Sequence, residues 1–132
     1  MSQENVEIVR QFADALDRRD FDAVLKDVAP DCELDASSNL GEWRGVHRGH
    51  DQIRQAWRSF LEPWESSWTE IDEVIDAGDR VVICTTAHLR GRDGIEVTAK
   101  QNFVFRFRDG VVTHVEAFNE RAEALEAAGL RE

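Results

Sequence analysis

The stretch Glu96–Phe118 reads EVTAKQNFVFRFRDGVVTHVEAF and decides the fold. Asp109-Gly110 separates two alternating segments, which is a strong short-range signal for a β-hairpin. Because side chains alternate along a strand, one face of the first strand carries Val97, Ala99, Gln101, Phe103, Phe105 and Phe107. In the second strand, alternation separates His114, Glu116 and Phe118 from Thr113, Val115 and Ala117.

Polar groups at Gln101, His114 and Glu116 interrupt the apolar face of this hairpin. A solid core has little use for them, because a buried polar group costs free energy unless it is hydrogen-bonded. A sheet that curves around a cavity can use them. We therefore expect the hairpin to form one wall of a pocket, with these three side chains facing inward.

The composition limits the classes of partner. The length of 132 residues predicts a single domain over residues 1–132. The formal net charge of -11 predicts repulsion of nucleic acids and anionic membranes. The polar N-terminus is unlike a secretory signal, so we expect a cytoplasmic location. Cys32 and Cys84 fit neither a metal motif nor a disulfide framework, and we expect buried thiols, no metal and no cofactor.

Helical periodicity precedes the sheet. Apolar residues recur at helical spacing over about 3–17, 21–28 and 51–61, and Asp20 is the expected N-cap of the second helix. Alternation predicts strands over 32–36, 68–76 and 80–90, and a last helix over 121–128 is expected between the caps Asn119 and Gly129. Segment 37–49 reads as a loop over a cavity mouth. Helices followed by strands predict an α+β fold, with helices packed on one face of a bent antiparallel sheet.

Segment 80–90 is apolar or small on both of its faces, so both faces need cover. Helices can cover one of them. The other would leave an apolar patch beside Val104, Val115 and Ala117, and such patches usually mark interfaces. We expect a homodimer through this outer face of the sheet, burying about 1,200–2,000 Å² in total.

Three stretches carry a resemblance to a known family: ENVEIVRQFADALDRRDFDAVLKDVAPDCEL, RGHDQIRQAW and DGVVTHVEAF. With the order of elements, they make the whole chain resemble the nuclear transport factor 2-like superfamily, and within it the SnoaL-like proteins. The resemblance implies a cone-shaped α+β barrel, usually dimeric. In it, three N-terminal helices wrap a curved antiparallel sheet around a pocket, and a short C-terminal helix follows. The superfamily includes isomerases, dehydratases, epoxide hydrolases, polyketide cyclases and non-catalytic binders, so function must be argued from the site.

Five polar residues are candidates for acid–base chemistry: Asp35, His88, Gln101, His114 and Glu116. His114 and Glu116 are two residues apart on one strand, so both should face the cavity, where the carboxylate can orient the imidazole as a general base. His88 and Gln101 would donate hydrogen bonds. Structural alternatives stay open: a buried polar pair or a wet rim for His114 and Glu116, and a satisfied structural histidine for His88.

The resemblance places Asp35 where the isomerase branch carries its proton-shuttling aspartate, although a solvated residue at a loop edge is the alternative. At the positions where that branch stabilises an enolate oxygen, this chain has Phe12 and Gln101. A phenyl ring donates no hydrogen bond and an amide donates a weaker one than an acid, which argues against a close steroid isomerase. For the Asp-Arg-Asp arrangement of the epoxide-hydrolase branch, only Arg90 has suitable parity, at the end of its strand.

Aromatic residues supply the expected lining for a flat or hydrophobic ligand. The candidates are Phe12, Trp43, Trp57, Phe60, Trp64, Phe103, Phe105 and Phe118. Simple core filling is the alternative for the phenylalanines. Two functions follow: a cofactor-independent acid–base enzyme of isomerase, cyclase or dehydratase type acting on a hydrophobic carbonyl or polyketide-like compound, or a non-catalytic ligand-binding or dimerisation module.

Overall fold

The computed structural model describes residues 2–38 and 44–130. Its helices are α1 (Ser2–Asp17), α2 (Phe21–Val24), α3 (Gly49–Leu61) and α4 (Arg121–Ala127). Its strands are β1 (Val28–Ser38), β2 (Val46–Arg48), β3 (Trp64–Asp76), β4 (Arg80–Gly91), β5 (Glu96–Arg108) and β6 (Val111–Phe118). Within the described part of the chain, no helix has both the length and the apolar character needed to cross a bilayer.

The six strands form one curved sheet in the order β2-β1-β6-β5-β4-β3. Strands β3 to β6 make the predicted antiparallel meander. The α+β class with three helices before the meander and one after it is confirmed. The expected curved sheet is present, but it is not closed into a barrel, because the outermost strands β2 and β3 are not paired with each other, and one of its pairs, β1 with β6, is parallel. The parallel pair is allowed because the long chain between β1 and β6 supplies the crossover.

Local signals set several ends of these elements. The carboxylate of Asp20 caps α2 by accepting a hydrogen bond from the backbone N of Ala23 at 3.1 Å, as predicted. Gly129 follows α4 with φ of 77°, a left-handed conformation that glycine adopts without strain. Asn119 is not the N-cap of α4: Glu120 occupies that position and makes no side-chain capping bond. Helix α2 ends sooner than expected because Val28 already pairs with β6.

The larger core lies between the inner face of the sheet and helices α1 and α3. Its central members are Val9, Phe12, Ile53, Trp57, Ile83, Phe103, Phe105, Val115 and Ala117. Val115 and Ala117 were expected on the outer face. They pair with Phe105 and Phe103 across β5 and β6, and cross-strand partners share a face, so both residues belong to the inner core.

A smaller core covers part of the outer face. Helix α4 places Ala124, Leu125 and Ala128 against Val82, Cys84, Val104 and Phe118. The apolar patch expected around Val104 is therefore wrong, because the chain's own C-terminal helix covers this residue and Val115 and Ala117 point to the other side. The homodimer itself stays a prediction, and its interface would have to use the part of the outer face that α4 leaves uncovered.

Candidate functional site

A pocket lies between the inner face of the sheet and helices α1 and α3. Its cavity volume is about 50 Å³. The space not filled by atoms is about 620 Å³ when the open mouth is included. The pocket is therefore narrow. Its aromatic lining consists of Phe12, Trp57, Phe60, Phe103 and Phe105, and its polar lining consists of Asp17, Ser67, Thr69, Thr85 and Gln101.

Edge-to-face contacts fix the aromatic walls. The ring of Phe12 lies 5.0 Å from that of Phe105 and 6.0 Å from that of Trp57, with interplanar angles of 81° and 69°. Trp57 also contacts Phe60 and Phe103, with ring centroids 6.2 Å and 5.8 Å away. Such pairs are favoured by the quadrupoles of the rings. The walls are thus held in place before any ligand arrives.

Asp17 is the one charged residue that lines the pocket within the described part of the chain. It is the last residue of α1 and is half-buried. Its Oδ1 accepts a hydrogen bond from the hydroxyl of Thr69 at 2.8 Å, and its Oδ2 accepts one from the backbone N of Thr69 at 3.1 Å. Both oxygens are acceptors, and the two bonds fix the orientation of the carboxyl group at the edge of the pocket.

Gln101 lies on the inner face and is 7% exposed. It is the one member of the five acid–base candidates that lines the pocket. The neighbouring Thr85 donates its hydroxyl proton to the backbone O of Gln101 at 2.8 Å, which ties β4 to β5 at this point. An amide side chain of this kind has both an N–H donor and a carbonyl acceptor.

His114 and Glu116 lie on the outer face, contrary to expectation. Across the hairpin they pair with Arg106 and Val104, and the next residue of that face, Phe118, packs under α4 instead of lining the pocket. All three were expected to face the cavity. Their true position keeps an imidazole and a carboxylate near water and avoids the cost of burying them.

A β-bulge explains the error. Phe107 pairs with Val112, but Arg106 pairs with His114, so Thr113 is an extra residue in β6. Alternation carried through the strand without interruption would place Val112 and His114 on one face. The extra residue breaks that rule, so that Val112 and Val115 both enter the inner core. The hydroxyl of Thr113 bonds the backbone O of Arg106 at 3.3 Å.

His88 also lies on the outer face, not in the pocket. Its ring stacks on Trp68 with centroids 4.1 Å apart and an interplanar angle of 4°, and its Nε2 lies 2.8 Å from Oε1 of Glu70. The expected inward parity is wrong because the register pairs Thr85 with Gln101, which puts the odd-numbered residues of β4 inside. Arg90 has the outer parity too, and it pairs with Glu96.

Asp35 lies on β1 beside Glu116, outside the pocket lining. Its Oδ1 accepts a hydrogen bond from the backbone N of Ser37 at 2.9 Å, as in a local turn. On the same outer face, Glu33 forms an ion pair with Arg48 and has Oε1 4.0 Å from Nε2 of His114. The apolar residues Cys32, Leu34 and Ala36 occupy the inner side of this strand, which leaves the carboxylates outside.

The aromatic candidates divide into three groups. Phe12, Trp57, Phe60, Phe103 and Phe105 line the pocket. Trp64 and Phe118 do not line it: the backbone O of Trp64 accepts a hydrogen bond from Arg19 at 2.8 Å, and Phe118 packs under α4. Trp43 lies outside the residues that the structure describes.

Sequence reasoning missed Asp17, Ser67 and Thr69 as lining residues. A signal for Asp17 was present, since it follows Val9 and Ala13 at steps of four and therefore shares the apolar stripe of α1. The positions of Ser67 and Thr69 had no such signal, because the faces of β3 depend on how it pairs with β4. Trp68 lies between these two residues and also borders the pocket, but its ring stacks on its cross-strand partner His88 on the outer face.

The two thiols lie in different places. Burial, helped by the carboxylates of Asp31 and Glu33, raises the pKa of Cys32 to about 12. Burial also raises the pKa of Cys84, which borders a polar groove on the outer face with Lys100 and Arg121. Among the residues described, no three His, Cys, Asp or Glu side chains come together in a way that could hold a metal ion.

Solved structures of the same fold span nearly the whole chain. An NTF2-like protein of unknown function from Burkholderia pseudomallei is 28% identical, with a TM-score of 0.77 over 93% of this chain and 95% of that one. TerC, co-crystallised with polyporic acid, is 23% identical, with a TM-score of 0.78 over 96% of this chain and 98% of that one. A provisionally assigned SnoaL-like polyketide cyclase from Shewanella putrefaciens is 16% identical, with a TM-score of 0.74 over 89% and 90%.

The sequence gives the family assignment. No curated protein matches the chain at a significant level. The family described as the SnoaL-like domain matches residues 9–115, which run from the middle of α1 into β6 and include all the described residues that line the pocket. The two structural neighbours below 25% identity agree with this assignment in fold alone. The chain belongs to the SnoaL-like domain family.

Proposed function

We propose that this protein binds a small hydrophobic molecule in the pocket between α1, α3 and the inner face of the sheet. The observation that carries the proposal is the narrow, preformed cavity with aromatic walls and a few polar groups. Cavities of this kind, largely apolar with a small number of placed polar groups, are typical of small-molecule sites. The formal net charge of -11 supports a small-molecule partner over a nucleic acid, because phosphates would be repelled.

The rigidity of the walls supports binding. Phe12 is held by two ring contacts and Phe105 lies deep in the core, so neither side chain has to be ordered when a ligand enters. A preformed site avoids the entropic cost of arranging side chains during association. A flat aromatic compound matches the narrow space better than a bulky one.

The test uses calorimetric titration with 1-naphthalenemethanol, a neutral and flat alcohol. Saturable binding is expected, and Ala87→Phe should abolish it because Ala87 lines the pocket and a phenyl group there would fill the space. The matched control is Ala122→Phe on the exposed side of α4, which should bind as the unmodified protein does. Amide chemical shifts give a second measurement that needs no variant. They should move at Phe103 and Gln101 and stay in place at Glu116, and shifts confined to the outer face would refute the proposal.

A second candidate function is acid–base catalysis on a carbonyl compound in the same pocket. The observation in its favour is that the lining contains a carboxylate, Asp17, and an amide donor, Gln101. Asp17 would remove a proton from the carbon next to the carbonyl, and Gln101 would donate a hydrogen bond to the resulting enolate oxygen. The other expected acid–base residues lie outside the pocket, so this candidate depends on these two side chains.

Deuterium exchange tests the catalytic candidate. The α-protons of 2-tetralone should exchange with solvent faster in the presence of the protein than in buffer. Asp17→Asn should remove the acceleration, whereas Asp35→Asn should leave it intact. Exchange no faster than in buffer, for a ketone shown to bind, would reject catalysis of this type and leave the binding proposal standing.

A further inference from the structure

The pocket has a net negative charge that its lining does not neutralise. Asp17 is an acid, and the other lining residues in the described part of the chain include no Lys, Arg or His. Among the described residues, no basic side chain forms an ion pair with Asp17. The adjacent arginines are directed elsewhere: Arg18 pairs with Asp14 and Asp20, and Arg19 bonds the backbone O of Trp64.

The position of Asp17 adds to this negative potential. It ends α1, where the aligned peptide dipoles leave a partial negative charge, and the last turn of the helix contains no basic residue. Thr69 fixes the carboxylate with two hydrogen bonds, one to each oxygen. Each carboxylate oxygen can accept more than one hydrogen bond, so both retain the capacity to accept from a ligand.

The aromatic lining is also suited to a cation. Rings of Phe12, Trp57, Phe60 and Phe103 border the same cavity, and the faces of aromatic rings attract ammonium groups. Binding of a ligand carboxylate would be disfavoured. It would lose its hydration, it would lie near Asp17, and the described lining offers it no basic partner. A neutral ligand could donate an ordinary hydrogen bond to Asp17, but it would gain no attraction between opposite charges.

We propose that the pocket recognises a hydrophobic amine, in which a flat aromatic body lies between the rings and a protonated primary amine bonds the carboxylate of Asp17. This inference rests on the proposed binding function and specifies its ligand class. The described residues of the lining provide a counter-ion for a cation and none for an anion. Selection by charge therefore accompanies selection by shape, and the net charge of -11 would also draw cations toward the protein.

Three probes of one shape test the inference: 1-naphthylmethylamine, 1-naphthalenemethanol and 1-naphthoate. Their affinities are measured by calorimetry at neutral pH and physiological ionic strength. The amine is expected to bind about tenfold more tightly than the alcohol, the gain typical of a charge-assisted hydrogen bond at a half-buried site, and the naphthoate should bind most weakly. Raising the salt concentration should weaken binding of the amine and leave binding of the alcohol unchanged.

Two variants separate the charge of Asp17 from its structural role. Asp17→Asn keeps the shape of the side chain and removes its charge. The affinity for the amine should therefore fall about tenfold, and the affinity for the alcohol should change by no more than about twofold. Asp14→Asn removes the same charge from an exposed position on α1 and should preserve the preference for the amine. If Asp17→Asn does not fold, the comparison of the three probes on the unmodified protein still shows whether the pocket prefers the amine.

The outcomes distinguish this inference from the function on which it rests. Equal affinity for the amine and the alcohol, or a preference for the naphthoate, would overturn the amine proposal while leaving a hydrophobic binding pocket. Equal loss of amine and alcohol binding in Asp17→Asn would also overturn it, because Asp17 would then act only through the structure. Binding of none of the three probes would count against both proposals.

Discussion

The carboxylate of Asp17 and the side chain and backbone of Thr69 are joined by two hydrogen bonds, of 2.8 Å and 3.1 Å, between the end of α1 and the strand β3. Asp17 and Thr69 are far apart in the sequence, so these bonds form a long-range contact beside the pocket. It positions the one charged group of the described lining, and it links the helix to a strand at the edge of the sheet.

Thr69→Val tests the strength of this tie. The substitution removes the hydroxyl and keeps the backbone N–H, so one of the two bonds is lost. We expect the free energy of unfolding to fall by about 1 kcal/mol, the usual net value of a hydrogen bond. Urea denaturation measures it. Thr98→Val, at an exposed position of β5, is the control and should change stability little. Equal stability of the two variants would show that the hydroxyl of Thr69 adds nothing.

Phe12→Ala should be one of the most destabilising changes in the pocket wall. Phe12 is 6% exposed and contacts both Trp57 and Phe105, so truncation removes buried area and two ring contacts. The expected loss is about 3 kcal/mol, at the low end for a buried phenylalanine because the site already borders a cavity. Phe60→Ala is the comparison, since Phe60 is only half-buried. A loss no larger than that of Phe60→Ala would contradict the central position given to Phe12.

The thiols should differ in their reactivity toward iodoacetamide. Cys32 is 0% exposed with a pKa of about 12, so it should be alkylated only when the protein unfolds globally. Cys84 is 5% exposed, has a raised pKa and borders the outer groove, so it should react slowly in the native state. Mass spectrometry of timed samples locates the label, and Cys84→Ala should remove the faster phase. Native labelling of Cys32 at the rate of Cys84 would be inconsistent with its burial.

The hydrogen bond from Thr86 to Asp72 should make stability depend on pH in acid. Together with Lys100, this bond holds the pKa of Asp72 below the ordinary value of an aspartate. A carboxyl with a lowered pKa in the folded state contributes stability that is fully present above the unfolded value and is lost as the pH falls through the folded one. Thr86→Val should therefore be less stable than the unmodified protein at neutral pH.

That difference between Thr86→Val and the unmodified protein should shrink as the pH falls below 3.8, the value from which Asp72 is lowered. Urea midpoints measured across the acid range provide the comparison. Glu73 serves as an internal reference, because Arg121 lowers its pKa independently of Thr86 and its contribution should be the same in both proteins. A difference that stays constant with pH would show that Thr86 does not act through the ionised carboxylate.

The homodimer through the outer face remains a prediction with a direct test. The uncovered part of this face includes the stacked pair Trp68 and His88 and the neighbouring Thr98, and Trp68 is 53% exposed. Sedimentation should give a dimer. Thr98→Glu should shift the equilibrium to the monomer by burying a charge, whereas Gln55→Glu on the exposed side of α3 should not. A monomer at all concentrations would refute the prediction.

Local patterns in the sequence predicted much of the fold. The helical stripe of α1, the cap at Asp20 and the turn at Asp109-Gly110 each depend on a few neighbouring residues, and all three occur where the pattern indicated. The aromatic wall was accessible for the same reason. Alternation in β5 put Gln101, Phe103 and Phe105 on one face, and nothing interrupts that strand between them.

The side of the sheet on which His114 and Glu116 lie was beyond local reasoning. One extra residue, Thr113, reverses the faces of β6 beyond it, and a bulge is stabilised by the pairing of two strands and not by the sequence of one. The same limit applied to His88, whose face depends on the register between β4 and β5.

The sequence by itself determined most of the helices and strands, the α+β class and the aromatic character of the cavity, because these follow from period and composition over short distances. It missed β2, which lies within the segment 37–49 that was expected to be a loop. The tertiary structure decided which polar groups share that cavity. It brought Asp17 and Thr69 together from separate elements and moved His114, Glu116, His88 and Asp35 to the other side of the sheet. The physical reason is that the face of a strand residue is set by strand register, and register is chosen by the burial of the whole sheet.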